Sequence, residues 1–372
     1  MNTKIWLSSP HLTGEEQKYL KEAFDDNWIA PLGPNVNGLE KDICNYTGAK
    51  ACSALSSGTA AIHLALILLG IEQNDEVLCS SFTFSATVNP IRYQKAIPIF
   101  VDSEKETWNM SPELLEVAIK DRITNHKKPK AILLVHLYGM PSKMDELMAI
   151  SNKYDIPIIE DAAEAIGASY KGKAMGTFGE LGVFSFNGNK IITTSGGGAL
   201  IANNPEYCKK ATFLATQARD AAPHYQHSQI GYNYRMSNIV AGIGRGQLEV
   251  LDDRVIARRR NFDFYKKELS EIKEISFMVE PVWFYANRWL TTILTDSFET
   301  REKIRLALEK ENIESRPLWK PMHLQPIFQE YPIYGDGTSE DLFQRGLCFP
   351  SSSNLSEVEL QRVVFCVKSN LK

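Results

Sequence analysis

The sequence predicts an open α/β fold, a large domain with a mostly parallel mixed sheet followed by a smaller α+β C-terminal domain. Three observations carry that expectation. From about Gly48 to Asn203, short apolar runs alternate with segments whose apolar residues recur at helical spacing. The length of 372 residues exceeds what one hydrophobic core ordinarily fills. Beyond about Leu251 the regular alternation gives way to one long charged pattern and then to mixed segments.

Six apolar runs are expected as strands: EVLCSS (76–81), AIPIFVD (96–102), AILLVH (131–136), IPIIED (156–161), VFSF (183–186) and ALIA (199–202). Between several of them, segments such as SPELLEVAIKDRI and KMDELMAISNKY place apolar residues on one helical face. Strands alternating with helices indicate βαβ units and a parallel sheet. In the last third, Leu248 to Ile272 reads as a long connecting helix, WLTTILTD as a strand and TREKIRLALEKENI as a helix. The boundary falls near residue 250, giving units 1–250 and 251–372. DDRVIARRR, Asp252 to Arg260, is expected to be a solvated helix face.

Composition narrows the function classes. With 44% hydrophobic and 23% charged residues the chain reads as an ordinary soluble protein, and its net charge of −4 makes no electrostatic case for nucleic acid or an anionic membrane. The six cysteines are scattered, without a C-x-x-C pair or a nearby histidine, so neither a metal site nor a disulfide scaffold is expected. No apolar run reaches the length of a membrane span, and MNTKIWLSSPHLTGEE lacks the apolar core of a signal peptide. A cytoplasmic protein is the default.

Four features carry chemistry. SSGTAAIHLALILLG opens a helix with small residues, so amides near Gly58 and Thr59 either meet an anion or form an ordinary N-cap. In IPIIEDAAEAIGA, Asp161 ends an apolar strand, as a partly buried carboxylate or as a helix cap. Glu164 follows as a capping-box member or as a second group facing the same site. In SSFTFSATVNPI, Phe82 or Phe84 lies on a planar ring or belongs to the core. SFNGNKIITTSGGG places Lys190 before its glycines, which fails the order of a phosphate loop. Flanked by two apolar strands, that lysine can turn inward and act as a nucleophile. An anion-binding helix start, an aromatic platform, a strand-end carboxylate and a lysine are together what pyridoxal phosphate requires.

The order of these motifs resembles the DegT/DnrJ/StrS family of nucleotide-sugar aminotransferases. The likeness runs from NWIAPLGPNVNGLEKDI through SSGTAAIHLAL, SSFTFSATVNPI, VHLYGMPSKMDEL, IEDAAEAIGA, FSFNGNKIITTSGGGAL and GYNYRMSNIVAGIG to ESRPLWKPMHLQPIF and LCFPSS. The phrases WIAPLG, HLYG, EDAAEA, TQAR and GYNYR are most similar to transaminases that install the 4-amino group of UDP-N-acetylbacillosamine precursors.

The resemblance implies the aspartate-aminotransferase-like, fold type I architecture with pyridoxal 5'-phosphate as cofactor. It implies that Lys190 forms the Schiff base and shuttles the proton, and that Asp161 keeps the pyridine nitrogen protonated. Phe84 would stack on the ring, and Gly58, Thr59 and Ser185 would contact the phosphate. Glu164 would lie near the cofactor O3′, where many relatives carry glutamine or histidine. Asn233 and Arg235 would reach a neighbouring subunit's site, which makes a homodimer the functional unit. Trp28, Arg219, Arg316 and His323 fall in segments that line the sugar-nucleotide side. Some relatives are dehydratases with histidine in place of the lysine, so Lys190 favours transamination, from L-glutamate to a UDP-linked keto sugar.

Overall fold

A computed structural model describes residues 3–371. Its large sheet has eight strands in the spatial order Ala51–Leu55, Gly198–Ala202, Leu181–Ser185, Ile158–Asp161, Ala131–Val135, Glu76–Ser80, Ile97–Val101 and Ile333–Tyr334. Only Gly198–Ala202 runs against its neighbours; the other pairings are parallel. All six expected runs are strands of this sheet. Ala51–Leu55 was hidden because ACSAL is short, built mostly of small residues, and shows no alternation.

Helices cover both faces, as the buried strands require. Helix Gly58–Leu68 packs on one face, and helices Pro112–Asn125 and Met144–Tyr154 supply the crossovers expected between strands. The parallel strands Glu76–Ser80, Ala131–Val135, Ile158–Asp161 and Leu181–Ser185 all present their carboxyl ends to one edge, where ligands of such sheets bind.

A second, antiparallel sheet is formed by Ile275–Phe277, Thr291–Thr295, Gly346–Phe349 and Arg316–Pro317. Helices Leu251–Leu269, Phe298–Lys310 and Glu357–Leu371 pack around it through Tyr265, Ile304, Leu308 and Val363. The chain does not divide at one point. Ile5 bridges Ile313 and is buried in this smaller core, whereas Ile333–Tyr334 returns to the edge of the large sheet.

Two expectations about the connecting helix need correction. The pattern from Leu248 belongs to two helices, Asn238–Leu248 and Leu251–Leu269, broken at Val250 by backbone angles (φ −116°, ψ 15°) outside the helical region. DDRVIARRR is solvated only in part: Asp252, Asp253 and Arg260 are exposed, but two of its arginines are buried. Arg254 and Arg258 lie four residues apart on the side that also buries Leu251, Val255 and Phe262, between the amino-terminal segment and the second sheet.

Among the described residues no helix is long and apolar enough to cross a membrane. Asp102, buried at the end of Ile97–Val101, accepts backbone amides from Ser103 (2.8 Å), Gly337 (3.1 Å) and Ser339 (3.0 Å), and so ties the returning C-terminal segment to the sheet. Asp102→Ala should cost about 2 kcal/mol in a urea unfolding series, the loss expected when charge-assisted bonds to buried amides disappear.

Candidate active site

A cleft of about 440 Å³ opens at the carboxyl edge of the large sheet. Gly58, Thr59, Phe84, Asp161, Glu164, Ser185 and Lys190, separated by as much as 132 positions in the chain, all line it. The helix Gly58–Leu68 starts at its wall. Ser57 caps that helix, its hydroxyl accepting the Ala60 amide at 3.0 Å, which leaves the Gly58 and Thr59 amides without an intrahelical acceptor. The cap and the anion-binding end are therefore one structure. A Cβ on Gly198 would stand 2.4 Å from the Gly58 nitrogen, so the antiparallel strand can pass this helix start only because residue 198 has no side chain. Gly196 and Gly197 line the cleft itself.

Asp161 ends its strand at 5% exposure. Its Oδ2 accepts the Thr87 hydroxyl at 2.7 Å, and Thr87 in turn meets the Thr83 hydroxyl at 2.7 Å. Its Oδ1 accepts the Ala163 amide at 3.1 Å. Turns rather than a helix follow, so the helix-cap alternative fails. Burial raises the pKa of this carboxyl, opposed by the Thr87 and Ala163 hydrogen bonds and by the charge of Lys190. Strand alternation sends the neighbouring Glu160 to the other face, where His136 (2.9 Å) and the amides of Gly176, Phe178 and Gly179 hold it. Only Asp161 serves the cleft.

Lys190 retains 13% of its side-chain exposure. Its Nζ stands 3.5 Å from Glu164 Oε1 and 4.2 Å from the centroid of the Trp289 ring. Glu164 Oε2 accepts the Tyr138 amide at 2.7 Å, from a turn in which Tyr138 has a φ of 53°. Burial raises the Glu164 pKa, and the positive charge of Lys190 opposes that rise. Glu164 thus faces the lysine and caps no helix. Of the two phenylalanines, Phe82 is core, whereas Phe84 is 51% exposed and leans on Trp319 at 5.2 Å between ring centroids. Thr87, Trp289 and Trp319 also line the cleft. Sequence reasoning passed over them because Thr87 resembles any helical threonine and the tryptophans come from the far C-terminal third.

The residues expected on the sugar-nucleotide side are placed differently. Trp28 is exposed and donates its indole N–H to the Leu32 carbonyl at 3.0 Å. Arg219 lies over the Tyr225 ring, Arg316 pairs with Glu314 at 3.1 Å, and His323 sits between Ser81 (2.6 Å) and Glu340 (3.2 Å). None of these four lines the cleft. Asn233 is exposed. Arg235 is buried, and its Nη1 donates to Glu40 (2.6 Å), the Ala54 carbonyl (2.9 Å) and Ser53 (3.4 Å).

The donor set fits pyridoxal phosphate. Open helix-end amides suit its phosphate, a buried carboxylate its ring nitrogen, Phe84 its ring face and the Lys190 amine its aldehyde. Among the described residues no cluster of His, Cys, Asp or Glu could hold a metal ion. Fold and cleft together define a fold type I, pyridoxal-phosphate-dependent aminotransferase. The chain belongs to the DegT/DnrJ/EryC1/StrS aminotransferase family, whose model matches residues 10–368.

EpsN of Bacillus subtilis (strain 168), provisionally assigned as a pyridoxal phosphate-dependent aminotransferase, is 54% identical over 98% of this chain and 95% of its own. GDP-perosamine synthase of Escherichia coli O157:H7 is 39% identical over 98% of this chain and 97% of its own. A family aminotransferase from Brucella abortus has the same structure with a TM-score of 0.90 at 28% identity, over 96% of this chain and 95% of that one. The protein is accordingly a pyridoxal-phosphate-dependent aminotransferase of a sugar aminotransferase family.

The raised Asp161 pKa has a measurable consequence in cofactor-free protein. A carboxyl with a raised folded pKa contributes its full stability below its unfolded value of 3.8, and that contribution is lost as pH rises through the folded value. Asp161→Asn should therefore resist urea better than the wild type at pH 7, and the difference should close as pH falls to 3.8. A constant difference across that range would contradict the assignment.

Proposed function

We propose that the protein transfers the amino group of L-glutamate to C4 of a UDP-linked 4-keto-6-deoxy sugar, with the 2-acetamido sugar as substrate and UDP-4-amino-4,6-dideoxy-N-acetylglucosamine as product. The observation that carries the chemistry is the meeting of Lys190, Glu164 and Asp161 in one cleft with an open helix N-terminus. Bound pyridoxal phosphate supplies the electron sink that makes a proton on the neighbouring carbon removable. The chain's residues do the rest. Gly58 and Thr59 amides, with Ser185, would hold the phosphate; Phe84 would cover the ring face; Asp161, oriented by Thr87, would pair with the ring nitrogen. Lys190 would anchor the aldehyde, and its free amine would carry the proton at the reacting carbon of donor or sugar. Glu164, 3.5 Å from Nζ, directs the amine toward the site.

The UDP-linked sugar is supported by the motif phrases shared with bacillosamine-type transaminases. A GDP-linked keto sugar is the second reading, favoured by the 39% identity to a GDP-perosamine synthase. The working unit is a cytoplasmic homodimer, in which the exposed Asn233 of one protomer faces the phosphate of its partner's site. Trp28, Arg219, Arg316 and His323 are assigned to the nucleotide side, where the second copy would complete the wall.

Three measurements test this reading. L-glutamate should bleach the visible band of the cofactor-loaded enzyme, and an unchanged spectrum would remove the donor assignment. Lys190→Ala should lower turnover by about 10³-fold or more, the scale of a lost general acid–base group. Among UDP- and GDP-linked 4-keto-6-deoxy sugars, the UDP-linked 2-acetamido compound should show the highest kcat/KM; a GDP-linked sugar ahead of it would establish the second reading.

A further inference from the structure

Helix Leu251–Leu269 buries a guanidinium that no carboxylate among the described residues neutralises. Arg258 is 1% exposed. Its Nη1 donates to the Trp289 carbonyl and its Nη2 to Ser8 Oγ at 3.1 Å, while its Nε has no acceptor. Burial, with Arg254 adding to it, holds the pKa down to about 9. A buried charge without a counter-ion costs several kcal/mol, so its retention calls for a compensating role.

That role lies in the next hydrogen bonds. Ser8 Oγ donates to the Asn189 carbonyl at 2.6 Å, and the Trp289 indole N–H donates to the same oxygen at 2.8 Å. One guanidinium therefore holds both of the groups that hold the carbonyl immediately before Lys190. The Trp289 ring in turn lies 4.2 Å from the Lys190 amine. Asn287 secures the Trp289 backbone: its Oδ1 accepts the Trp289 main-chain amide at 2.9 Å, and its Nδ2 donates to the Glu164 and Ile166 carbonyls, both at 2.8 Å. Lysine loop, indole and glutamate turn are thus joined into one frame.

We propose that Arg258 is a positioning residue for Lys190, fixing through Ser8 and Trp289 the direction in which the amine enters the cleft. The inference rests on the reading of Lys190 as the cofactor-bearing lysine. The helix that bears Arg258 belongs to the smaller unit and Asn189 to the turn that follows strand Leu181–Ser185 of the large sheet, so the clamp also sets the lysine against the wall that carries Trp289.

The test uses the full chain with Arg258→Met, which keeps the length and removes the charge. Thermal unfolding should stay unchanged or rise, because an unpaired buried charge has been removed. Amide exchange over residues 187–191 of the cofactor-free protein should accelerate by about tenfold or more as the loop loosens. In the loaded enzyme kcat should fall by about tenfold to a hundredfold, with KM for both substrates within about twofold, as misplacement of one catalytic group predicts. Arg258→Lys, which replaces the fork by a single ammonium, should recover part of that loss. Ser8→Ala and Trp289→Phe each remove one donor to Asn189 and should give smaller losses of the same kind; they carry the test should Arg258→Met not fold. Unchanged exchange and kcat in the variants would overturn the clamp, as would a kcat loss matched by raised KM and lowered stability. Borohydride reduction of the loaded wild type separates the two ideas. Label on a residue other than Lys190 would sink the reading of the site, and with it the clamp; label on Lys190 with unaffected variants would sink the clamp alone.

Discussion

Asp161 places a carboxyl group where water scarcely reaches it, and much of the cleft is organised around that constraint. Removing an ionised carboxylate from water costs several kcal/mol unless hydrogen bonds and opposite charge replace the lost hydration. Here Thr87 and the Ala163 amide supply the bonds and Lys190 supplies charge. The strand end places Asp161, helix Ser85–Tyr93 brings Thr87, and the loop after Leu181–Ser185 brings Lys190. In the proposed reading, a protonated ring nitrogen of pyridoxal phosphate would supply the missing partner and relieve the cost of that burial.

The same economy governs the helix start at Gly58. Its free amides suit an anion, and the side-chain-free Gly198 lets strand Gly198–Ala202 run close enough to wall the cleft. Neither large sheet nor small unit completes the site alone. Trp289 and Trp319 reach over from the C-terminal third, Ser8 comes from the amino-terminal segment, and both ends of the chain cross between the two cores.

The sheet and the candidate site were legible in the sequence to different depths. Six strands could be read because buried parallel strands are continuous apolar runs, a strong local signal. Asp161, Lys190, Phe84 and the Gly58 helix start could be read because each stands at a boundary between an apolar run and a turn. Thr87, Tyr138, Trp289 and Trp319 escaped because what singles them out is a contact across tens to hundreds of residues. The burial of Arg254 and Arg258 within the Asp252 to Arg260 cluster was missed for the same reason. A run of charges looks solvated until packing shows that Arg254 and Arg258 share the buried face of their helix.

By itself, the sequence determined the alternation of strands and helices, the position of each strand end and the chemical types available there. Those are properties of local pattern, where burial dictates apolar periodicity and turns demand small or polar residues. Only the tertiary structure decided which groups meet: that Glu164 faces Lys190 while Glu160 turns away to His136, that Arg235 is spent on Glu40, and that a buried arginine stands behind the lysine loop. The physical reason is that hydrogen bonds, ion pairs and desolvation act over a few ångströms in space, a distance that sequence separation does not encode.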